Sequence, residues 1–288
     1  MAERARQVAE NVPGEFFVDS TCIDCDTCRQ LAPDTFAEAA EYSYVHRQPE
    51  TAAEQRQALQ ALVACPTGSI GAASSAREAV RDFPLPVEEE VSYCGFASPK
   101  SFGGSSYFVR HPEGNWLIDS PRFVAHLVQR FREAGGIRYI FLTHRDDVAD
   151  AAKYAREFGS RRIIHNLEKS AQPDAEIILE GREAVELAPG FLAIPTPGHT
   201  RGHTALLYRD YFLFTGDHLW WSRNRRALNA SRSVCWYDWD EQVQSLALLE
   251  QYEFQWVLPG HGERAKLEPA EAKRQLRDLA AGALSARW

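Results

Sequence analysis

Four cysteines in the N-terminal part of the chain constrain its fold more than any other sequence feature. Cys22, Cys25 and Cys28 follow one another at intervals of three, and Cys65 stands before a proline further along. Thiolates spaced this closely on one loop can bind neighbouring corners of a single iron–sulfur cluster, which then takes its last ligand from elsewhere. Disulfide bonds between cysteines this close on one loop seldom reach a workable geometry. The spacing therefore predicts an iron–sulfur centre, with a structural zinc site as the alternative.

The segments CIDCDTCRQLAPDTF and ACPTGSI resemble the single-cluster bacterial ferredoxins, over about residues 14–72. All of the family's ligand positions are present, so the resemblance implies one [4Fe-4S] cluster bound by the four cysteines. Residues 1–90 contain 7 Lys and Arg against 16 Asp and Glu. An acidic surface suits docking on basic partners, and we expect a redox partner such as a ferredoxin reductase or another electron donor or acceptor.

The charge balance changes along the chain, since residues 91–288 contain 25 Lys and Arg against 24 Asp and Glu. We therefore expect two domains, over residues 1–75 and 92–288, joined by a Pro- and Glu-rich linker over 76–91. The acidic first part argues against a nucleic-acid partner. The N-terminus has no apolar signal-peptide core, and no apolar run reaches the roughly 18 residues of a membrane span. These features predict a cytoplasmic protein without membrane contact.

Four apolar strands in the second domain each end in a side chain that can bind a metal. YIFLTH ends at His144, FLAIPTPGH at His199, YFLFTGD at Asp217 and WVLPGH at His261. Loops that follow parallel strands converge at one edge of a sheet, and imidazoles grouped there with a carboxylate can bind Zn, Fe or Mn. The pattern predicts a centre with one or two divalent ions.

These motifs resemble the metallo-β-lactamase superfamily over roughly residues 92–288, through TPGHTRGH, TGD and PGHG. The resemblance implies an αββα sandwich with metals at the edge of its two sheets. It makes His199 a ligand of the first metal, Asp217 the bridging carboxylate and His261 a ligand of the second metal. The predicted fold class is therefore α+β, a ferredoxin-like [4Fe-4S] domain followed by this sandwich.

His144 opens the motif that the superfamily writes as H-x-H-x-D-H, and the sequence then departs from it. Aligned without a gap, Asp146 replaces the second histidine. If the loop is two residues longer, Asp150 takes the aspartate's place and Ala151 replaces the last histidine. A carboxylate at the second position shifts the metal preference towards Fe or Mn, and the flavodiiron proteins also have one there. The predicted metal ligands are His144, Asp146, His199, Asp217 and His261.

Three functions fit these features, and an enzyme is favoured. In the first, the cluster passes electrons to a non-haem metal, expected to be iron, in the second domain. In the second, the chain is a metal-dependent hydrolase of an ester, thioester or phosphoester, with Asp217 or Asp150 as the catalytic aspartate. The cluster is then structural or regulatory. The third is a non-catalytic electron-transfer or sensor protein. We expect a small-molecule substrate for either enzyme.

Overall fold

The computed structural model describes residues 2–285, which form two compact units. The first unit contains the residues up to Arg138 together with Ala149–Ser160. The second contains Tyr139–Val148 and the residues from Arg161 onward. Neither unit is one continuous stretch of chain. No helix within residues 2–285 is long and apolar enough to cross a membrane.

The N-terminal part of the first unit consists of short helices and two-stranded sheets. Its elements are β1 (Phe17–Val18), α1 (Thr27–Leu31), β2 (Phe36–Glu38), β3 (Ser43–Val45), α2 (Ala52–Ala64), β4 (Ile70–Gly71) and α3 (Arg77–Val80). Strand β1 pairs antiparallel with β4, and β2 pairs antiparallel with β3. The cysteine segments connect these elements.

Helix α2 positions the remote cysteine, Cys65, at its C-terminal end. It begins with a capping box, in which Thr51 Oγ1 accepts a hydrogen bond from Glu54 N and Glu54 Oε2 accepts one from Thr51 N. These bonds satisfy N–H groups that the first turn leaves without helical partners. The helix ends at Cys65, whose N–H still donates to Ala61 O at 2.9 Å. Its buried residues are Ala58, Leu59, Ala61, Val63 and Ala64.

An antiparallel meander and two helices complete the first unit. They are β5 (Leu85–Glu88), β6 (Val91–Tyr93), β7 (Tyr107–Val109), β8 (Trp116–Ile118), α4 (Ala125–Glu133) and α5 (Ala151–Phe158). Neighbouring strands pair in the order β8-β7-β6-β5. Phe131 of α4 and Tyr154 of α5 are both fully buried and pack edge to face, with ring centroids 5.8 Å apart.

The predicted linker over residues 76–91 differs from the structure, which contains helix α3 and strand β5 there. Pro84 and Pro86 suggested a linker. However, β5 is the edge strand of its sheet, where a residue without an N–H group is tolerated. The domain boundaries at 75 and 92 stay a prediction.

Within the described residues, the second unit contains three groups of strands, one of them the pair β16-β17, and two α-helices. Its elements are β9 (Tyr139–Phe141), β10 (Arg161–His165), β11 (Ile177–Leu179), β12 (Val185–Ala188), β13 (Phe191–Pro195), β14 (Thr204–Tyr208), β15 (Phe212–Gly216), β16 (Trp220–Ser222), β17 (Ala227–Asn229), α6 (Trp239–Leu249), β18 (Trp256–Pro259), β19 (Ala265–Lys266) and α7 (Pro269–Ser285). Strands β9, β10 and β11 are parallel. The larger sheet has the order β12-β13-β14-β15-β18-β19, with β15 and β18 parallel.

Strands β14 and β15 are buried at every position. Such continuous apolar runs are typical of strands covered on both faces. Apolar residues of β13, β14, β15 and β18 form one core with residues of α6 and α7. This core fixes the strands that precede three of the candidate metal ligands, His199, Asp217 and His261. Its strand and helix members include Ile194, Ala205, Leu207, Leu213, Val257, Val243, Leu246, Ala272 and Leu276.

Candidate functional site

The four cysteines lie together in the first unit and line one pocket. Cys22 and Cys25 precede helix α1, Cys28 lies within it and Cys65 ends helix α2. The backbone N–H of Ser69 donates to Cys65 Sγ at 3.3 Å. Hydrogen bonds to cluster sulfurs are one of the means by which a protein sets the properties of an iron–sulfur centre. Three cysteines of one loop thus lie beside one remote cysteine, and their role as cluster ligands stays a prediction.

Arg29 holds the loop that carries the first three cysteines. Its guanidinium forms ion pairs of 2.6 Å with both Asp24 and Asp26. These aspartates have left-handed backbone, with φ of 57° and 65°, a conformation that Asp adopts more readily than most residues. The two acidic residues therefore shape the loop, and their charges are compensated by Arg29.

The pocket fits a cluster better than a single zinc ion. The sulfurs of four cysteines around one zinc would lie about 3.8 Å apart, because each Zn–S bond is about 2.3 Å long. No three cysteine sulfurs in the described part of the chain lie within 4.8 Å of one another. Burial raises the pKa of the Cys25 thiol to about 11 and raises that of Cys28 further. Cluster binding, which needs thiolates, must therefore release protons.

A second site forms in the second unit, where four strand ends bring their side chains together. His144 follows β9, His199 follows β13, Asp217 follows β15 and His261 follows β18. Because β15 and β18 are parallel neighbours, Asp217 and His261 leave the sheet at the same edge. His199 lies in the turn after β13, a strand that is antiparallel to its neighbours β12 and β14.

Two sets of candidate ligand atoms share Asp217. One set combines it with His144 and His199, the other with Asp147 and His261, and within each set the atoms lie within 4.8 Å of one another. Asp217 Oδ2 is 3.7 Å from His144 Nε2 and 3.6 Å from His199 Nε2. Asp217 Oδ1 is 2.8 Å from His261 Nδ1. A carboxylate placed between two sets can bridge two ions.

The imidazoles of His144 and His199 are oriented through their Nδ1 atoms. His199 Nδ1 lies 2.7 Å from Val234 O, and His144 Nδ1 lies 3.0 Å from Thr143 Oγ1. Because a carbonyl only accepts, His199 carries its proton on Nδ1 and leaves a lone pair on Nε2. Both Nε2 atoms are buried without a hydrogen-bond partner among residues 2–285. Buried imidazole nitrogens without hydrogen-bond partners, both close to one carboxylate, fit a metal ion.

The protonation states of His144 and Asp217 also suit a bound cation. Burial lowers the pKa of His144 to about 3, so the ring is neutral at physiological pH. Burial alone would raise the pKa of Asp217, but the imidazoles of His261, His144 and His199 outweigh it and hold the pKa well below its usual value. Neutral imidazoles and an ionised carboxylate are the forms that bind metals.

Asp146, a predicted ligand, lies on the open side of this centre. Its side chain is 48% exposed, and its Oδ2 is 3.9 Å from Nε2 of both His144 and His199. These distances place the carboxylate near the first ligand set but outside hydrogen-bonding contact with either ring. Its role as a ligand stays a prediction.

Asp147 is a site residue that the sequence patterns did not single out. It is buried, and it belongs to the second ligand set. A Cβ on Gly260 would lie only 2.6 Å from Asp147 Oδ2 and 2.6 Å from Asp217 Oδ1. Glycine is therefore required beside the two carboxylates, and the PGH motif that contains it was the available signal.

Asp150, the other predicted catalytic residue, belongs to the first unit, whereas both ligand sets belong to the second. Its Oδ1 binds Lys100 and Lys153 at 2.9 and 3.1 Å, and its Oδ2 accepts from Phe123 N at 3.0 Å. Burial acts to raise the pKa of Asp150, but these bonds lower it to about 2. The contacts are those of an ion pair at the start of α5, and a catalytic role stays a prediction.

Two more buried histidines pack beside the ligands. His203 Nδ1 is 2.8 Å from Thr196 Oγ1, and the ring centroid of His203 is 5.3 Å from that of His144. His218 stacks on His203 at 5.4 Å, and burial lowers the pKa of His218 to about 3. The His203 ring supports the position of His144 by packing against it, and His218 supports His203 in turn.

Comparison with known proteins agrees with the cysteine pocket. Residues 18–72 match the sequence profile of the 4Fe-4S single cluster domain of Ferredoxin I. This range contains all four pocket cysteines. The predicted ferredoxin domain is confirmed, and it implies one [4Fe-4S] cluster.

The remainder of the chain is similar to solved metallo-β-lactamase structures. DIM-1 metallo-β-lactamase has a TM-score of 0.53 and 19% identity, covering 69% of this chain and 96% of that one. A metallo-β-lactamase family protein of Thermus thermophilus has a TM-score of 0.51 and 16% identity, covering 68% and 80%. BLEG-1 B3 metallo-β-lactamase has a TM-score of 0.51 and 17% identity, covering 65% and 96%. Likeness at these identities shows the fold.

A sequence relative has the name hydroxyacylglutathione hydrolase and comes from Acidiphilium cryptum (strain JF-5). It is 28% identical over 136 residues, covering 45% of this chain and 56% of that protein. The chain thus spans about half the length of this relative. The predicted fold class is confirmed: the chain carries a single-cluster [4Fe-4S] ferredoxin domain over residues 18–72, followed by a domain with the metallo-β-lactamase fold.

Proposed function

We propose that the chain is a metal-dependent hydrolase of esters or thioesters whose N-terminal domain binds a [4Fe-4S] cluster. The observation that carries this proposal is the pair of ligand sets that share Asp217. Paired ions bridged in this way are a recurring arrangement in metal-dependent hydrolysis. The similarity to a protein named hydroxyacylglutathione hydrolase supports an acyl thioester as the substrate class.

The residues present would bind one ion with His144, His199 and Asp217, and another with Asp147, Asp217 and His261. A bound divalent ion would polarise the substrate carbonyl and lower the pKa of a nearby water. Val234 O and Thr143 Oγ1 keep two imidazoles in place. On the open side, Asp146 Oδ2 is available to accept a proton during attack on the carbonyl.

An exposed aromatic surface beside His199 suits the acyl part of such a substrate. Trp236 is 63% exposed, and its ring centroid is 6.1 Å from that of His199. The guanidinium of Arg201 lies 5.4 Å from the ring centroid of Tyr237. An apolar group could cover Trp236, and Arg201 would attract a negative charge. We therefore propose a small anionic acyl ester or thioester as the substrate.

A redox enzyme is the second candidate, in which the cluster passes single electrons to iron in the histidine–aspartate centre. The ligand set of Asp147, Asp217 and His261 favours this candidate, because two carboxylates and one imidazole prefer Fe or Mn over Zn. Such an enzyme needs an external electron donor. The acidic N-terminal part suits a donor with a basic docking surface.

Metal analysis and turnover of anaerobically purified protein separate the two candidates. The hydrolase cleaves an S-acyl glutathione thioester, and its rate is the same with the cluster oxidised or reduced. His199→Ala removes a candidate metal ligand and is expected to lower this rate more than about 100-fold. Loss of a residue that only hydrogen-bonds to a metal ligand already lowers metal affinity or activity about 10–100-fold. The visible absorption of the cluster should be unchanged in His199→Ala. The control is His46→Ala, at an exposed position in the ferredoxin domain, which should leave the rate unchanged.

Three results together would favour the redox enzyme over the hydrolase. The protein would contain more iron than the four atoms of the cluster, reduction would give a second paramagnetic signal, and thioester, ester and phosphoester probes would not be cleaved.

A further inference from the structure

Part of the cluster pocket lies outside the segment that matches ferredoxins. Gly103, 31 residues beyond the matched range of 18–72, packs directly on Cys25 within the first unit. A Cβ at this position would lie 2.6 Å from Cys25 Cβ and 2.9 Å from Cys25 Sγ. Thr27 Oγ1 donates to Gly103 O at 3.4 Å. The chain after the ferredoxin segment therefore covers one side of a cluster ligand.

Arg122 approaches the pocket from another side. Its Nη2 atom lies 3.3 Å from Cys65 O and 3.4 Å from Val63 O, at the end of helix α2. The Arg122 backbone is fixed on both sides, because its N–H donates to Phe96 O at 2.9 Å and its carbonyl accepts from Tyr154 Oη at 2.8 Å. A guanidinium is thus held next to the residue that supplies the remote ligand.

The charge of Arg122 is not neutralised by a carboxylate. No ion pair joins it to an acidic side chain within residues 2–285, and the Cys65 thiolate is the negative group that acts on it. Arg29, the other arginine beside the pocket, is paired with Asp24 and Asp26. Burial lowers the pKa of Arg122, but a guanidinium stays protonated in proteins. Arg122 is therefore a permanent, uncompensated cation beside the cluster.

We propose that Arg122 raises the reduction potential of the [4Fe-4S] cluster. Four thiolates make the bound cluster negative, and one-electron reduction adds a further negative charge. A nearby cation stabilises the reduced form more than the oxidised form, and partial burial strengthens this effect because the local dielectric constant is low. The effect depends on the cluster pocket alone and holds whichever reaction the second domain performs.

The test is an anaerobic redox titration of the full chain, followed by the electron paramagnetic resonance of the reduced cluster. Arg122→Gln is expected to shift the midpoint potential to a more negative value with unchanged iron content. Arg122→Lys should keep most of the native potential. Arg77→Gln removes the same charge from an exposed position of the same unit, where solvent screens it, and should have no effect.

An unchanged potential in a fully loaded Arg122→Gln protein overturns the proposal. If that variant does not bind the cluster, Arg122→His decides instead. With histidine, the potential should fall as the pH rises through the range in which imidazole loses its charge. A potential with the native pH dependence in this variant would equally refute a role for the charge.

Discussion

The cysteine pocket and the histidine–aspartate centre bring their candidate ligands together in opposite ways. The pocket combines three cysteines of the short run Cys22–Cys28 with the remote Cys65. The centre combines candidate ligands from loops between His144 and His261, and each loop follows a different strand. A short run fixes the mutual positions of its own side chains. Dispersed ligands meet only if the strands pair in the right order and register.

The two sites also differ in their state before a metal arrives. Burial raises the pKa of the Cys25 thiol, so the pocket must lose protons when the cluster binds. In the other centre, His144 is already neutral and Asp217 already ionised. Cluster binding therefore has to displace protons from the pocket, whereas His144 and Asp217 are already in the forms that bind ions.

The largest effect is expected from Cys65→Ala, which removes the remote ligand of the pocket. The visible absorption of the cluster should be lost, because three thiolates leave one iron without a protein ligand. Metal bound at the histidine–aspartate centre should remain. Cys94→Ala, which replaces a fully buried thiol of the same unit outside the pocket, should keep the cluster. Equal bleaching in both variants would mean that the pocket is not the cluster site.

A smaller effect distinguishes two neighbouring aspartates of the other centre. Asp147→Asn should reduce the metal content of the centre by about half, because one ligand set loses a charged oxygen. Asp146→Asn should retain the metal, since neither ligand set contains Asp146 and its side chain is 48% exposed. Metal analysis after dialysis gives the answer. The reverse result would favour the alignment that makes Asp146 the ligand.

The smallest effect is on stability. Asp150→Asn should lower the free energy of unfolding at pH 7 by about 1–2 kcal/mol, because its ion pairs and hydrogen bonds lower the pKa from 3.8 to about 2 in the folded protein. A carboxyl group whose pKa is lower in the folded than in the unfolded chain stabilises the fold at pH values above its unfolded-state pKa. This contribution disappears as the pH falls from about 4 to 2. Urea unfolding of the metal-free chain measures the difference, which should be smaller at pH 3 than at pH 7. A difference independent of pH would exclude this cause.

The sequence predicts the pocket more completely than the centre. The spacing groups Cys22, Cys25 and Cys28 as ligands of one cluster, and the resemblance to single-cluster ferredoxins adds Cys65 as the fourth. Asp147 escapes the same reasoning. The superfamily motif can be aligned with Asp146 or with Asp150, the aspartates on either side of it. Only the folded loop shows that Asp147 is the buried carboxylate close to Asp217.

Element boundaries show a similar limit. The sequence predicts a helix over residues 121–134, whereas α4 begins at Ala125. The N–H of Phe123 is bound to the carboxylate of Asp150, 27 residues further along the chain. This contact holds the preceding residues out of the helix, and no local pattern predicts it. The strands predicted at 191–194 and 204–208 agree with β13 and β14 within a residue, and Leu192 is the one residue of these two strands that is not buried.

The glycine at position 260 has a thermodynamic consequence. It allows two carboxylates, the buried Asp147 and the partly exposed Asp217, to face the same small volume. Like charges at such a distance repel each other, and a divalent ion removes the repulsion. Any ion that binds the folded state alone adds its binding free energy to folding, about 4 kcal/mol at a free concentration 1,000 times its Kd. The supply of metal in the cell would then set how much of this protein persists, as well as how active it is.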